Sequence, residues 1–145
     1  MTAHLTDRIL VPLANEADAE RTVDALETRL DPAESELLFV HVIEKAGGAP
    51  DKAPLAAREE QAEGIFEIVR DEFVDADLRF ETELRYDTSV TDAVLAAADE
   101  FDATVIAFVP RPERRITALL TRDLTDRLVS NDRYPVVVLP RPREE

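Results

Sequence analysis

The residues best equipped for chemistry lie in the stretch FVPRPERRITALLTRDLTDRL, residues 108–128. Arg111, Arg114, Arg115 and Arg122 are guanidinium forks, the side chains that grip phosphate and carboxylate in two-point fashion. With Glu113 they leave segment 111–122 at +3, within a chain whose net charge is −15. An apolar strand runs into the stretch and a helix runs out. In parallel α/β proteins that junction is where phosphates bind, on glycine-rich loops whose backbone N–H groups point at the oxygens. This loop has no glycine. Pro110 and Pro112 have no N–H, so two donors are missing and the backbone is too stiff for a phosphate nest. Asp123 and Asp126 are expected in the first turn of the helix, where carboxylates suit the helix dipole but repel a phosphate. The arginines therefore either hold an anion by side chain alone or pair with neighbouring acids such as Asp123 and Asp126.

Nothing else in the chain assembles into a reaction centre. His41 lies within an apolar strand, where a buried, hydrogen-bonded histidine is the expected state, and His4 is far from it in sequence. Two histidines so separated make no metal motif. Glu59, Glu60 and Glu63 read as a solvated helix face. Ser89 and Ser130 lack the G-x-S-x-G setting of an activated serine. With no cysteine there is no thiolate nucleophile, disulfide or Cys-type zinc site. The absence of any nucleophile, base and orienting group in combination argues for a non-enzymatic protein with no metal.

The elements that must position the arginine loop follow from periodicity. RILVPLA (8–14) is a continuous apolar run, followed by a helix with Asn15 as N-cap and Ala19, Val23, Leu26 and Leu30 on one face. ELLFVHVIE (36–44) is a second buried strand. KAGGAPDKAP (45–54) is a loop by its Gly and Pro content. A helix over about 55–73 follows, with Ala62, Ile65, Phe66, Val69 and Phe73 facing inward. LRFETELRY (78–86) alternates apolar and charged residues, the mark of a strand near a sheet edge. Ser89 caps a helix carrying Val90, Val94, Ala97 and Phe101. ATVIAFV (103–109) is a fourth strand. Leu120, Leu124 and Leu128 mark the last helix, and YPVVVLP (134–140) is the fifth strand. Apolar strands alternating with crossover helices give an α/β fold. Its sheet is parallel, doubly wound and Rossmann-like, covered by four helices on both faces. Residues 1–145 read as one domain.

Val136, Val137, Val138 and Leu139 bear on assembly. If this strand lies at the sheet edge, it exposes unpaired backbone and apolar side chains unless another chain pairs with it. A two-fold partner using the same strand meets that need, so a homodimer is expected. A central strand would need no such partner.

Composition sets the surroundings. Apolar residues make up 45% of the 145, enough for a folded core. Lysine occurs only at Lys45 and Lys52. The acids are dispersed along the chain, which reads as adaptation to a salty cytoplasm that screens self-repulsion. An acidic patch for a basic partner is the other reading. Such a surface repels nucleic acid and anionic membranes. No apolar run reaches the ~18 residues of a membrane span. The N-terminal residues lack the pattern of a signal peptide, so a cytoplasmic location is expected.

Four segments together resemble the universal stress protein (UspA-like) family: RILVPLANEADAERTVDAL, LLFVHVIE, DAVLAAADEFDATVIAFV and LTDRLVSNDRYPVVVLP. The likeness runs over essentially the whole chain, and D-R-L-V-S-N followed by P-V-V-V is its most specific part. It implies the family's Rossmann-like sheet, of the adenine nucleotide alpha hydrolase-like type, in strand order 3-2-1-4-5. LRFETELRY and PVVVLP would then lie at the two edges. It also implies dimers formed through the last strand and a histidine of structural role in the second. Some members bind ATP through G-x2-G-x9-G-[ST] after the fourth strand. That spacing falls on Val109, Pro112, Arg122 and Asp123, and the family's nucleotide-contacting aspartate falls on Ala14. All five positions depart from the motif. The resemblance thus implies a stress-response regulator of the class without ATP, acting on a protein partner that the sequence does not name. A sensor holding an anion or a nucleotide through the arginine loop is the alternative.

Overall fold

A computed structural model describes residues 3–45, 52–110 and 118–140, with the backbone alone for 52–54 and 118–123. The described elements alternate strictly. They are β1 (Arg8–Pro12), α1 (Glu16–Glu27), β2 (Glu36–Glu44), α2 (Lys52–Phe73), β3 (Arg79–Asp87), α3 (Val90–Phe101), β4 (Val105–Phe108), α4 (Ala118–Val129) and β5 (Val136–Val138). The five strands pair in parallel in the order β3-β2-β1-β4-β5. Chain direction across the sheet therefore reverses between β1 and β4, the place where open α/β sheets form a crevice.

Strand alternation builds two cores. Ile9 and Val11 of β1 and Phe39 of β2 face α1 and α2, packing with Val23, Leu26, Ile65 and Val69. Leu10, Val40 and Ile106 face the opposite layer, packing with Val94, Ala97 and Phe101 of α3 and Leu128 of α4. Phe39, Phe73 and Phe80 form an aromatic cluster with centroids about 6 Å apart. Both expected N-caps are in place. Asn15 accepts the Asp18 N–H at 2.8 Å, and Ser89 accepts the Asp92 N–H at 3.2 Å.

The outer strands show why their sequences differ. β3 pairs only with β2, and its Arg79 and Glu81 are exposed while Phe80 packs inward. Arg85 reaches Glu83 and Glu100 at 2.5 and 2.7 Å, so the wet face is laced with charge. Charged side chains also deter strand addition at this edge. β5 forms the other edge and spans three residues, shorter than the 134–140 expected. Tyr134 and Pro135 belong instead to a turn held by Asn131, whose side chain accepts the N–H groups of Arg133 and Tyr134 and donates to two carbonyls. The Tyr134 hydroxyl and Arg133 guanidinium both bond Asp99 on α3, fastening this turn to the helix layer.

Two expectations need correction. Asp123 and Asp126 are not in the first turn of α4, which starts at Ala118 and carries no acid there. Ala118, Leu119 and Leu120 are strong helix formers, so the helix extends upstream of the acidic residues. Leu139 is not part of an exposed edge strand. It follows β5, donates its N–H to the Phe108 carbonyl at 2.8 Å, and is buried in the α1/α2-side core.

Candidate functional site

At the carboxyl ends of β1, β2 and β4 the described residues enclose a crevice of about 150 Å³. Its walls are apolar: Val40 from β2, Val94 from α3, Phe108 from β4, and Leu124 and Leu128 from α4. Its polar side chains are Asp18, His41 and Thr125, with no lysine or arginine among the described lining residues.

Local sequence explains how these groups arrive there. β1 ends at Pro12, and Leu13 continues alongside β2 by donating its N–H to the Val40 carbonyl at 2.8 Å. The chain then turns into α1 at Asn15. Asp18, at the third helical position, folds back and accepts the Ala14 N–H at 2.8 Å. This is a variant of the capping box in which the carboxylate reaches one residue beyond the cap. The first turn of α1 thus already holds the carboxylates of Glu16 and Asp18, with Asp18 only 6% exposed. Carboxylates expected in the first turn of α4 are found in the first turn of α1, where they suit the helix dipole.

His41 comes from the middle of β2 and is 7% exposed. Its Nδ1 lies 2.7 Å from the Leu13 carbonyl oxygen. A carbonyl can only accept, so Nδ1 carries the proton and Nε2 of the neutral ring is an acceptor. Burial pushes the His41 pKa below its ordinary value. The Leu13 hydrogen bond and the Asp18 carboxylate pull it back, and the Arg58 guanidinium adds to the lowering. The ring is therefore neutral at pH 7. It ties the β1–α1 connection to β2, as a structural histidine would, and it also faces the crevice.

The positions singled out from sequence are placed as follows. Ala14 and Val109 meet at the crevice from the ends of β1 and β4, with Pro110 beside them. Arg111, Pro112, Arg114 and Arg115 lie outside the described residues. Arg122 and Asp123 fall in α4, in the part where the backbone alone is described. Val136 and Val137 are half-buried in β5, and Val138 is 47% exposed. Sequence reasoning missed Asp18. Its signal was the spacing of Asn15 to Asp18 at a helix start, which marks a side chain turned back toward the strand end.

A family model described as the universal stress protein family matches residues 6–140. This chain belongs to the universal stress protein family. No curated protein matches the sequence. Solved structures share the fold. A universal stress protein family member from Burkholderia pseudomallei superposes with a TM-score of 0.70 at 19% identity, over 96% of this chain and 99% of that one. The Archaeoglobus fulgidus universal stress protein in complex with dAMP gives 0.61 at 20% identity, over 94% and 99%. An Arabidopsis thaliana family member with AMP bound gives 0.67 at 10% identity, over 94% and 92%. In this universal stress protein the crevice lies at the switch point between β1 and β4, and among the described residues no helix is long and apolar enough to cross a membrane.

Proposed function

We propose that this universal stress protein is a non-enzymatic stress-response regulator of the cytoplasm that works as a homodimer and does not hold ATP. The observation that carries the reading is the crevice itself. Where a triphosphate needs several donors and positive charge, the described lining offers the Thr125 hydroxyl, the Asp18 carboxylate, a neutral His41, and Pro12 and Pro110, which have no N–H. Ala14, at the position of the family's nucleotide-contacting aspartate, supplies no polar side chain. A dispersed acidic surface suits a salty cytoplasm. The homodimer is supported by β5, an edge strand whose Val138 is 47% exposed and whose outer side no other described strand pairs. Native mass spectrometry with an ATP titration at high salt tests both parts. A bare dimer unaffected by ATP is the expected result, with Val138→Lys shifting it to monomer. Saturable micromolar ATP binding refutes the nucleotide part, and a wild-type monomer refutes the assembly.

A second reading has its own support. The crevice is preformed and contains buried polar groups, the usual build of a small-ligand site. In that reading the protein senses a small molecule, and its regulatory surface responds to occupancy.

A further inference from the structure

The homodimer reading leaves open what holds β5 ready for a partner, and the inference rests on that reading. β5 pairs with β4 at three positions only, Val136, Val137 and Val138. So short a strand depends on what fixes its two ends. Its far end is fixed by Leu139, which is buried and donates its N–H to the Phe108 carbonyl at 2.8 Å. Its near end is the turn at 131–135. Asn131 makes that turn one rigid unit: its carbonyl oxygen accepts the Arg133 and Tyr134 N–H groups at 2.8 and 2.7 Å, and its amide donates to the Leu128 and Tyr134 carbonyls. The unit is fastened to α3 at one carboxylate. Oδ1 of Asp99 accepts the Tyr134 hydroxyl, and Oδ2 pairs with the Arg133 guanidinium. The Tyr134 hydroxyl, and then the Arg133 guanidinium, hold the Asp99 carboxyl below the usual carboxylate range, so it stays charged. Nothing in α3 itself favours an acid there. Asp99 lies in the last turn of the helix, which has no basic residue and where a carboxylate opposes the helix dipole.

We infer that Asp99 is a positioning residue for assembly: by gripping Tyr134 and Arg133 it holds the turn, and with it β5, in the place where a second copy of the chain pairs. Ordering an edge before association removes part of the entropy that pairing would otherwise cost. An exposed tie of this kind is worth about threefold, and a two-fold dimer contains two of them, so its loss should weaken the dimer about tenfold.

The test is the dimer Kd of the full chain, from sedimentation over a dilution series at fixed salt, with amide hydrogen exchange read on the diluted monomer. Asp99→Ala removes the tie and improves the helix propensity of α3. Glu67→Ala, at an exposed position on α2, removes the same charge as a control. Asp99→Ala should raise Kd about tenfold over that control. The amides of Val136–Val138 should exchange faster while those of Leu10 and Val11 stay unchanged. Tyr134→Phe keeps the ring that packs against the α3-side core. It should give part of the effect and add little in the Asp99→Ala background, since both changes break one tie. If Asp99→Ala does not fold, Tyr134→Phe decides by the same comparison. A Kd equal to that of the control, or exchange that rises in β1 as much as in β5, overturns the positioning role and leaves the homodimer standing. A wild-type chain that stays monomeric at every concentration overturns both.

Discussion

Thr22 lies on α1 with no exposed surface, and its hydroxyl oxygen has no hydrogen-bond partner among the described residues. In the unfolded chain water satisfies that hydroxyl. In the folded chain no described residue does, which costs about 1–3 kcal/mol. Thr22→Val replaces the hydroxyl by a methyl of similar size and adds about 0.8 kcal/mol of apolar burial. The two residues have nearly equal helix propensity, so the backbone is unaffected. Part of the gain is offset, because a threonine hydroxyl in a helix recovers some energy by swinging toward the carbonyl four residues earlier. The net expectation is a stabilisation of about 1–2 kcal/mol, or a rise in Tm of about 3–6 °C for a chain of this size. The assay is reversible urea unfolding followed by circular dichroism, at fixed salt because the chain is strongly charged, and at fixed protein concentration because a dimer's stability depends on it. Thr22→Ser is the control. It keeps the hydroxyl, deletes the methyl and should destabilise by about 1 kcal/mol. If Thr22→Val is the destabilising change, the hydroxyl has a partner and the reasoning fails.

Stability should also report on His41. Burial holds its folded pKa below 6.5, so as pH falls through 6.5 the unfolded chain gains a proton that the folded chain refuses. His41 therefore contributes a loss of stability with acid that levels off below the folded pKa. His41→Asn retains an N–H for Leu13 and does not titrate. The wild-type minus variant stability should be flat above about pH 7.5 and decline below 6.5, and a difference that rises with acid would refute a buried neutral imidazole. Gly64 lies inside α2, and the three atoms nearest an added Cβ all belong to the carboxylate end of exposed Glu16, the first at 3.3 Å. Gly64→Ala should stabilise by about 0.5–1 kcal/mol in the same urea assay, since the flexible Glu16 side chain can move aside; a loss would show that Glu16 is fixed.

The sequence by itself determined what depends on near neighbours along the chain. Asn15 and Ser89 announced two helix starts because a short polar side chain before an apolar-periodic run can satisfy the first N–H groups. Continuous apolar runs in β1, β2 and β4 against the alternation of β3 marked which strands are covered on both faces and which lies at an edge. The family likeness supplied the strand order, which periodicity alone does not encode. Only the tertiary structure decided where distant residues meet. Asp18 and His41 share one crevice because α1 begins beside β2 in the assembled sheet, and neither residue's local sequence mentions the other. The burial of Leu139 was likewise set by packing, since a side chain beyond a strand end is inside or outside according to which layer it meets.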